Sequence, residues 1–204
     1  MLHFLISAAS LLRRATTRLA ALMGYLSGWG FIGISCLITF DVLARKLLGF
    51  STQATTELSG YALAFGISWG LAHTLAMRAH VRIDLIINKF PAGLRYWLHL
   101  MALVFLGVFI GFVGKGGWDL VDESLLFRAT DISVLRVPLA IPQGLWLAGI
   151  LVMLLLIVCL FVESLLLVLA GRGAEAEAML SSRTYDEEAA EALHAVGADR
   201  EGAK

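Results

Sequence analysis

Long runs of apolar residues without a charge constrain this chain more than any other feature of its sequence. An α-helix rises about 1.5 Å per residue, so crossing the ~30 Å hydrocarbon core of a bilayer takes about 20 apolar residues. Four runs come close to this length or exceed it, at residues 19–40, 58–77, 97–114 and 139–162. We therefore predict an all-α integral membrane protein with four transmembrane helices.

The composition agrees with a membrane location and argues against other classes of protein. Of the 204 residues, 59% are hydrophobic and 16% are charged, whereas soluble domains contain about 45–50% and about 25%. The sixteen basic and sixteen acidic side chains give no net charge, so nothing indicates binding to nucleic acid. Cys36 and Cys159 both lie in apolar runs, where we interpret them as small hydrophobic residues.

Helix-flanking residues extend the spans to about 19–48, 55–77, 92–114 and 139–169, within a membrane domain of residues 19–170. Lysine and arginine are enriched on the cytoplasmic side of membrane proteins. The N-terminal segment, the connection between the second and third spans and the tail carry eleven of them, and the other two connections carry five. Both termini are therefore predicted to be cytoplasmic.

The segments outside the spans have their own patterns. In residues 1–18, polar residues form a stripe on one side of a helix. This pattern predicts an amphipathic helix lying in the membrane interface, with a frayed terminus as the alternative. The stripe consists of His3, Ser7, Ser10, Arg14 and Thr17. Residues 115–137 form the longest predicted outer loop, with a short interfacial helix around Trp118. Residues 171–204, rich in Ala and Glu, are predicted to be a solvated cytoplasmic tail, partly helical or disordered.

Charged residues near the span ends are the first candidates for specific contacts, because charge at membrane depth is costly and usually paired. Asp41 and Arg45 are four residues apart and share a helix face, so they can pair. Glu57 opens the second span on the same side, where it either caps the helix or bridges to Arg45, within the chain or between subunits. Glu163 is expected to reach toward the cytoplasmic headgroups.

Small residues mark each of the first three spans. Glycines four residues apart allow close approach of helices in a membrane, and they occur as Gly24 and Gly28, Gly66 and Gly70, and Gly107 and Gly111. We expect tight packing at these pairs, either within the chain or against a partner.

Two histidines raise one alternative from a different functional class. His73 and His99 are predicted near the inner ends of the second and third spans, where they could be the axial ligands of a b-type haem in an electron-transfer membrane anchor. The sequence contains no catalytic, phosphate-binding or metal-binding motif. We therefore predict a protein that is not an enzyme, with no cofactor and no metal. A four-span scaffold or channel without a cofactor is a further alternative.

Several short motifs, taken in their order, resemble one transporter family. They are Asp41-Val42-x-x-Arg45-x-x-x-Gly49, Glu57-Leu58-x-x-Tyr61, the connection from His80 to Leu85 followed by Lys89-Phe90-Pro91, and the stretch from Leu135 to Gln143. Together with the four-span layout, they resemble the small membrane subunit of tripartite ATP-independent periplasmic (TRAP) transporters. The resemblance covers about residues 19–170.

That resemblance implies a subunit of a three-part machine in the bacterial inner membrane. A periplasmic solute-binding protein would deliver an organic acid, commonly a carboxylate, to a large multispan subunit that moves it by a sodium-coupled elevator motion. The small subunit would brace the large one among the membrane lipids, and the substrate and sodium sites would lie in the large subunit.

The resemblance also bears on candidate residues. His80, Arg82 and Asp84 are expected to fix the inner connection, with a solvated polar loop as the alternative. On the outer side, Arg45, Glu57 and the segment around Trp118 are the candidates for contact with the large subunit or the binding protein.

Overall fold

A computed structural model describes residues 2–51, 53–78, 90–133 and 135–181. The described residues fold into five α-helices and no strand beyond an isolated bridge between Thr130 and Pro138. We number the helices α1 (Leu2–Leu47), α2 (Thr55–Ala76), α3 (Ala92–Leu126), α4 (Ala140–Leu169) and α5 (Gly173–Leu180). The prediction of an all-helical protein is confirmed.

Helix α4 is the centre of the bundle and packs against all four other helices. Its sequence is apolar on every side, as expected for a helix with neighbours around it, and Met153 and Leu156 are fully enclosed. Helix α1 packs on α2 and α4, while α3 packs on α4 and α5. We call the end at which α1 begins and α2 ends the proximal end, and the opposite end the distal end.

Three helices are long and apolar enough to cross a membrane by length and composition, namely Leu2–Leu47, Gly93–Leu126 and Ala140–Leu169. Helix α2, the predicted second span, is not among them. Its 22 residues include Glu57 and His73, and small residues such as Ser68 and Ala72, both fully buried, take the place of large apolar ones. The orientation of the termini stays a prediction.

Helix α1 is continuous over 46 residues, about 69 Å at 1.5 Å per residue. It has no break between the predicted interfacial segment 1–18 and the first span. Ile6 and Thr16, both in that segment, are buried. An interfacial position for residues 1–18 stays a prediction.

Helix α3 continues to Leu126, twelve residues past the predicted end of the third span at 114. Its glycine-rich turn does not interrupt it because α4 fills the space beside it: a Cβ on Gly117 would lie 2.5 Å from the Trp146 ring. Lys115 and Asp119 pair across the same turn at 2.7 Å. The predicted outer loop is therefore shorter, and Trp118 lies in a helix continuous with the span.

The predicted tail begins with packed structure. Gly171 has φ +75°, a left-handed conformation that glycine adopts easily, and it reverses the chain after α4. Helix α5 then packs against α3 and α4, with Ala176 and Leu180 buried. Residues 182–204 lie outside the described residues.

Candidate functional site at the two ends of the bundle

At the distal end, the end of α1 and the following turn form a polar cluster. Asp41 is 1% exposed and accepts a hydrogen bond from Nη2 of Arg45 at 2.6 Å. The hydroxyl of Ser51 donates to the same carboxylate at 3.1 Å, and the backbone N–H of Gln53 donates to that hydroxyl. The predicted pairing of Asp41 with Arg45 is present, and it ties the chain after α1 to the helix. The Arg45 side chain stays 65% exposed.

Glu57 lies in the first turn of α2, near the positive end of the helix dipole. The helix has no side-chain cap, so Glu57 does not cap it by a hydrogen bond. Its Oε2 atom is buried without a hydrogen-bond partner, and among the described residues it forms no ion pair with Arg45. A contact of Glu57 with another subunit stays a prediction.

The loop after α3 is held against α2. The hydroxyl of Tyr61 donates a hydrogen bond to the carboxylate of Asp131, a contact that the motif from Glu57 to Tyr61 did not predict. The N–H of Asp131 donates to the carbonyl of Val137 at 3.0 Å, and that of Leu139 donates to Ala129. These bonds hold residues 129–131 beside residues 137–139 and leave Ile132 entirely exposed.

Trp118 is 62% exposed on the outer side of α3. Phe127, just beyond the helix, is 71% exposed, and it precedes the tight loop with Ile132 at its tip. Large exposed apolar groups near the end of a membrane span are candidates for contact with another protein. Trp118, Phe127 and Ile132 are therefore the apolar candidates for contact at the distal end.

The residues predicted to fix the inner connection, His80, Arg82 and Asp84, lie outside the described residues. The side chains on either side of this connection are described. Arg78, at the end of α2, donates from Nη1 to the carbonyl of Ala178 at 2.7 Å. Arg95, near the start of α3, forms an ion pair with Glu177 at 2.7 Å. Helix α5 thus joins the segments that enter and leave the connection.

A buried ion pair at the proximal end was not predicted from the sequence. Nε of Arg13 donates to Oε2 of Glu163 at 2.6 Å, and Nη2 donates to Oε1 at 3.3 Å. The Glu163 side chain is 6% exposed and that of Arg13 is 27% exposed. Glu163 therefore points into the bundle and not toward the headgroups, because Arg13 supplies the charge partner that a buried carboxylate requires. The pair fastens the start of α1 to the end of α4.

The glycine pairs divide in the same way on all three helices. A Cβ on the first glycine of each pair would crowd a neighbouring helix. It would clash with the His73 ring at 2.6 Å from Gly24 and with the Phe31 ring at 2.5 Å from Gly66, and it would make a tight contact with Ile157 at 3.1 Å from Gly107. The second glycines, Gly28, Gly70 and Gly111, have nothing within 4 Å. Packing within the chain thus uses only the first glycine of each pair.

Contacts that no spacing revealed join α2 to its neighbours. The hydroxyl of Ser27 donates to the carbonyl of Gly66 at 2.8 Å, and Nε1 of Trp69 donates to the carbonyl of Leu145 at 2.8 Å. Gly149 lets α4 approach α2 closely, since a Cβ there would lie 2.6 Å from the Ser68 hydroxyl. Polar side chains thus bond to backbone of the adjacent helix, as they do in membrane bundles.

The geometry does not favour the haem alternative. The ring of His73 faces α1, where it packs against Gly24 and Tyr25. His99 is buried on α3, a helix that packs on α4 and α5. Two axial ligands would have to face each other across the haem. Within the described part of the chain, no three His, Cys, Asp or Glu residues are grouped to hold a metal ion.

Comparison with known proteins identifies the family. The family model described as tripartite ATP-independent periplasmic transporters, DctQ component, matches residues 34–167, about two thirds of the chain. The match runs from the last third of α1 through most of α4. No curated protein and no solved structure matches the chain. The chain therefore belongs to the DctQ component family of the tripartite ATP-independent periplasmic transporters, a family of membrane transporter subunits.

Proposed function

We propose that this protein is the small scaffold subunit of a TRAP transporter in the bacterial inner membrane. It would brace a large elevator-type subunit that takes up an organic acid, commonly a carboxylate, with sodium, after delivery by a periplasmic binding protein. The family match over residues 34–167 carries the proposal. The many contacts that fasten α4 to its neighbours support a rigid body, which a moving partner needs as a fixed reference.

We propose that α2 is the fourth span. Its 22 residues extend about 33 Å, which matches the hydrocarbon core of ~30 Å. It packs on two helices that are apolar enough to cross a membrane, and its polar groups Ser68 and His73 face those neighbours. The N-terminal segment, the connection after α2 and the tail carry eleven lysines and arginines against five in the other two connections, so the positive-inside rule favours a cytoplasmic position for the proximal end.

One exposed stripe of α1 differs from an exposed stripe of α3 in a way that favours α1 as the side that meets the large subunit. Gly28, Ser35 and Thr39 share this stripe of α1 with Ile32. Small and hydroxyl residues are typical of helix–helix contacts in membranes. An exposed stripe of α3 carries three phenylalanines instead. Phe105 is 67% exposed, Phe109 is 63% exposed and Phe112 is 72% exposed. Large apolar side chains of this kind suit contact with lipid.

Disulfide crosslinking tests this assignment. Ser35 and Phe109 are each replaced by cysteine in a variant of this chain that lacks Cys36 and Cys159. Each variant is placed in membranes with a large subunit that carries cysteines along its scaffold helices, and the yields of crosslinked complex are compared. Ser35→Cys should give crosslinked complex, and Phe109→Cys, the matched control, should give none. Crosslinks from Phe109→Cys alone would show that the large subunit lies beside α3.

The distal end supplies the proposed contact with the binding protein. The exposed side chains of Trp118, Phe127 and Ile132 and the exposed guanidinium of Arg45 lie toward the distal end, which would face the periplasm. A photocrosslinking residue at Ile132 or Trp118 should capture the binding protein when all three components are present. The same residue at Leu11, which is exposed near the proximal end, is the control. Capture from Leu11 and not from the distal positions would reverse the proposed orientation.

A further inference from the structure

A cavity at the proximal end combines cationic and apolar walls. It has a volume of about 620 Å³ and lies where α2 ends and α1, α4 and α5 continue, which is within the usual size range of small-ligand sites. Arg13, Thr17, Arg78 and Ser181 supply its polar lining, and Leu160 of α4 and Met179 of α5, both partly exposed, supply an apolar wall. No carboxylate is among the described residues that line it.

Both arginines are held in position by contacts outside the cavity lining or at its edge. Glu163 binds Nε and Nη2 of Arg13, and Nη1 takes part in neither bond. The carbonyl of Ala178 accepts from Nη1 of Arg78 at 2.7 Å. The two guanidinium groups therefore come from separate helices onto one space, and each is anchored by a contact that fixes where its charge lies.

We propose that this cavity binds the phosphate of an anionic phospholipid. Guanidinium groups bind phosphate oxygens through paired N–H donors, and the hydroxyls of Thr17 and Ser181 can donate further hydrogen bonds. The wall of Leu160 and Met179 accepts the upper part of an acyl chain. Basic pockets between transmembrane helices are known to bind the headgroups of anionic lipids.

The apolar wall is the reason to favour a lipid over a soluble phosphate. An inorganic phosphate ion would satisfy the arginines but would leave the partly exposed side chains of Leu160 and Met179 facing water or an empty space. A phospholipid satisfies both walls at once. It would also fill the space beyond the proximal end of α2, where α1 and α4 extend past the end of this shorter helix.

Native mass spectrometry of the full chain, delipidated in detergent, tests the proposal. Phosphatidylglycerol, cardiolipin and zwitterionic phosphatidylcholine are titrated separately, and inorganic phosphate is added as a competitor at millimolar concentration. Arg78→Gln should weaken retention of phosphatidylglycerol about tenfold, equivalent to about 1.4 kcal/mol. Arg18→Gln, on an exposed residue of α1 that does not line the cavity, should leave retention unchanged. Phosphatidylcholine should bind more weakly than either anionic lipid.

The other outcomes overturn the proposal in distinguishable ways. Equal retention by Arg78→Gln, Arg18→Gln and the unaltered chain would show that the cavity does not select the lipid. Displacement of the lipid by inorganic phosphate would show that the site takes a soluble phosphate, and equal binding of phosphatidylcholine would refute the requirement for an anion.

A second variant covers the case in which Arg78→Gln fails to fold. Ala178→Phe fills the cavity from an exposed position on α5 while leaving both arginines in place. It should lose the lipid as Arg78→Gln does. A folded Ala178→Phe variant that retains phosphatidylglycerol normally would refute the proposal.

Discussion

Removing Arg13 should destabilise the bundle more than removing the charge of its partner. In the Arg13→Gln variant, Glu163 stays 6% exposed and loses the cation that compensates its burial. Breaking a buried ion pair from one side costs about 3–5 kcal/mol, and the partial exposure of Arg13 places the expected loss near ~3 kcal/mol. For a protein of this size, that is roughly 6–12 °C in Tm.

The reverse substitution should be milder. Glu163→Gln leaves a guanidinium that is 27% exposed and that can still donate to the glutamine oxygen, so the expected loss is about 1 kcal/mol. The double variant has no uncompensated charge and should be more stable than Arg13→Gln alone by at least ~1 kcal/mol.

Thermal unfolding of the four proteins in one detergent, followed by circular dichroism, measures this coupling. Arg14→Gln, at the exposed neighbouring position, serves as the control and should change the free energy of unfolding by less than about 0.5 kcal/mol. Additive effects of the two single substitutions, or a larger loss for Glu163→Gln than for Arg13→Gln, would refute the reasoning.

Three further predictions address packing, the distal loop and the partner. Gly149→Leu should lower the free energy of unfolding by about 3 kcal/mol or more, because its Cβ would lie 2.7 Å from the backbone of Ser68. Its folded yield should drop. The control Gly111→Leu, with nothing within 4 Å of the added Cβ, should fold normally. Tyr61→Phe should lower the free energy of unfolding by about 1–2 kcal/mol and speed amide hydrogen exchange in residues 129–131. Tyr25→Phe is the control, and equal exchange rates in the two variants would disprove a role for the Tyr61 hydroxyl. Arg45→Glu should lower uptake about tenfold without changing the affinity of the binding protein for its solute. Lys46→Glu is the control. Normal uptake by Arg45→Glu with a normal yield of the complex would refute the role assigned to Arg45.

Features determined by neighbouring residues in the chain could be predicted from the sequence. The apolar runs located the helices, and the spacing of Asp41 and Arg45 predicted a pair that forms because residues four apart face each other on a helix. The motif order also indicated the family that the comparison then identified.

Features determined by long-range packing could not be predicted. Glu163 meets Arg13 across 150 residues of sequence, and no local pattern distinguishes a carboxylate that reaches the headgroups from one that turns inward. The third span was predicted to end at 114, where the apolar run stops, because the sequence does not show that α4 packs beside the next turn at Gly117 and that the helix continues to Leu126. Helix α5 was assigned to a solvated tail because its composition gave no sign of the surface that buries Ala176.

Uptake by reconstituted components tests the central claim most directly. Vesicles containing the large subunit and this protein, supplied with the binding protein and a sodium gradient, should accumulate a carboxylate solute, and vesicles lacking this protein should not. This protein alone should carry nothing. Solute transport by this chain alone, or full uptake without it, would contradict its role as the fixed scaffold of the transporter.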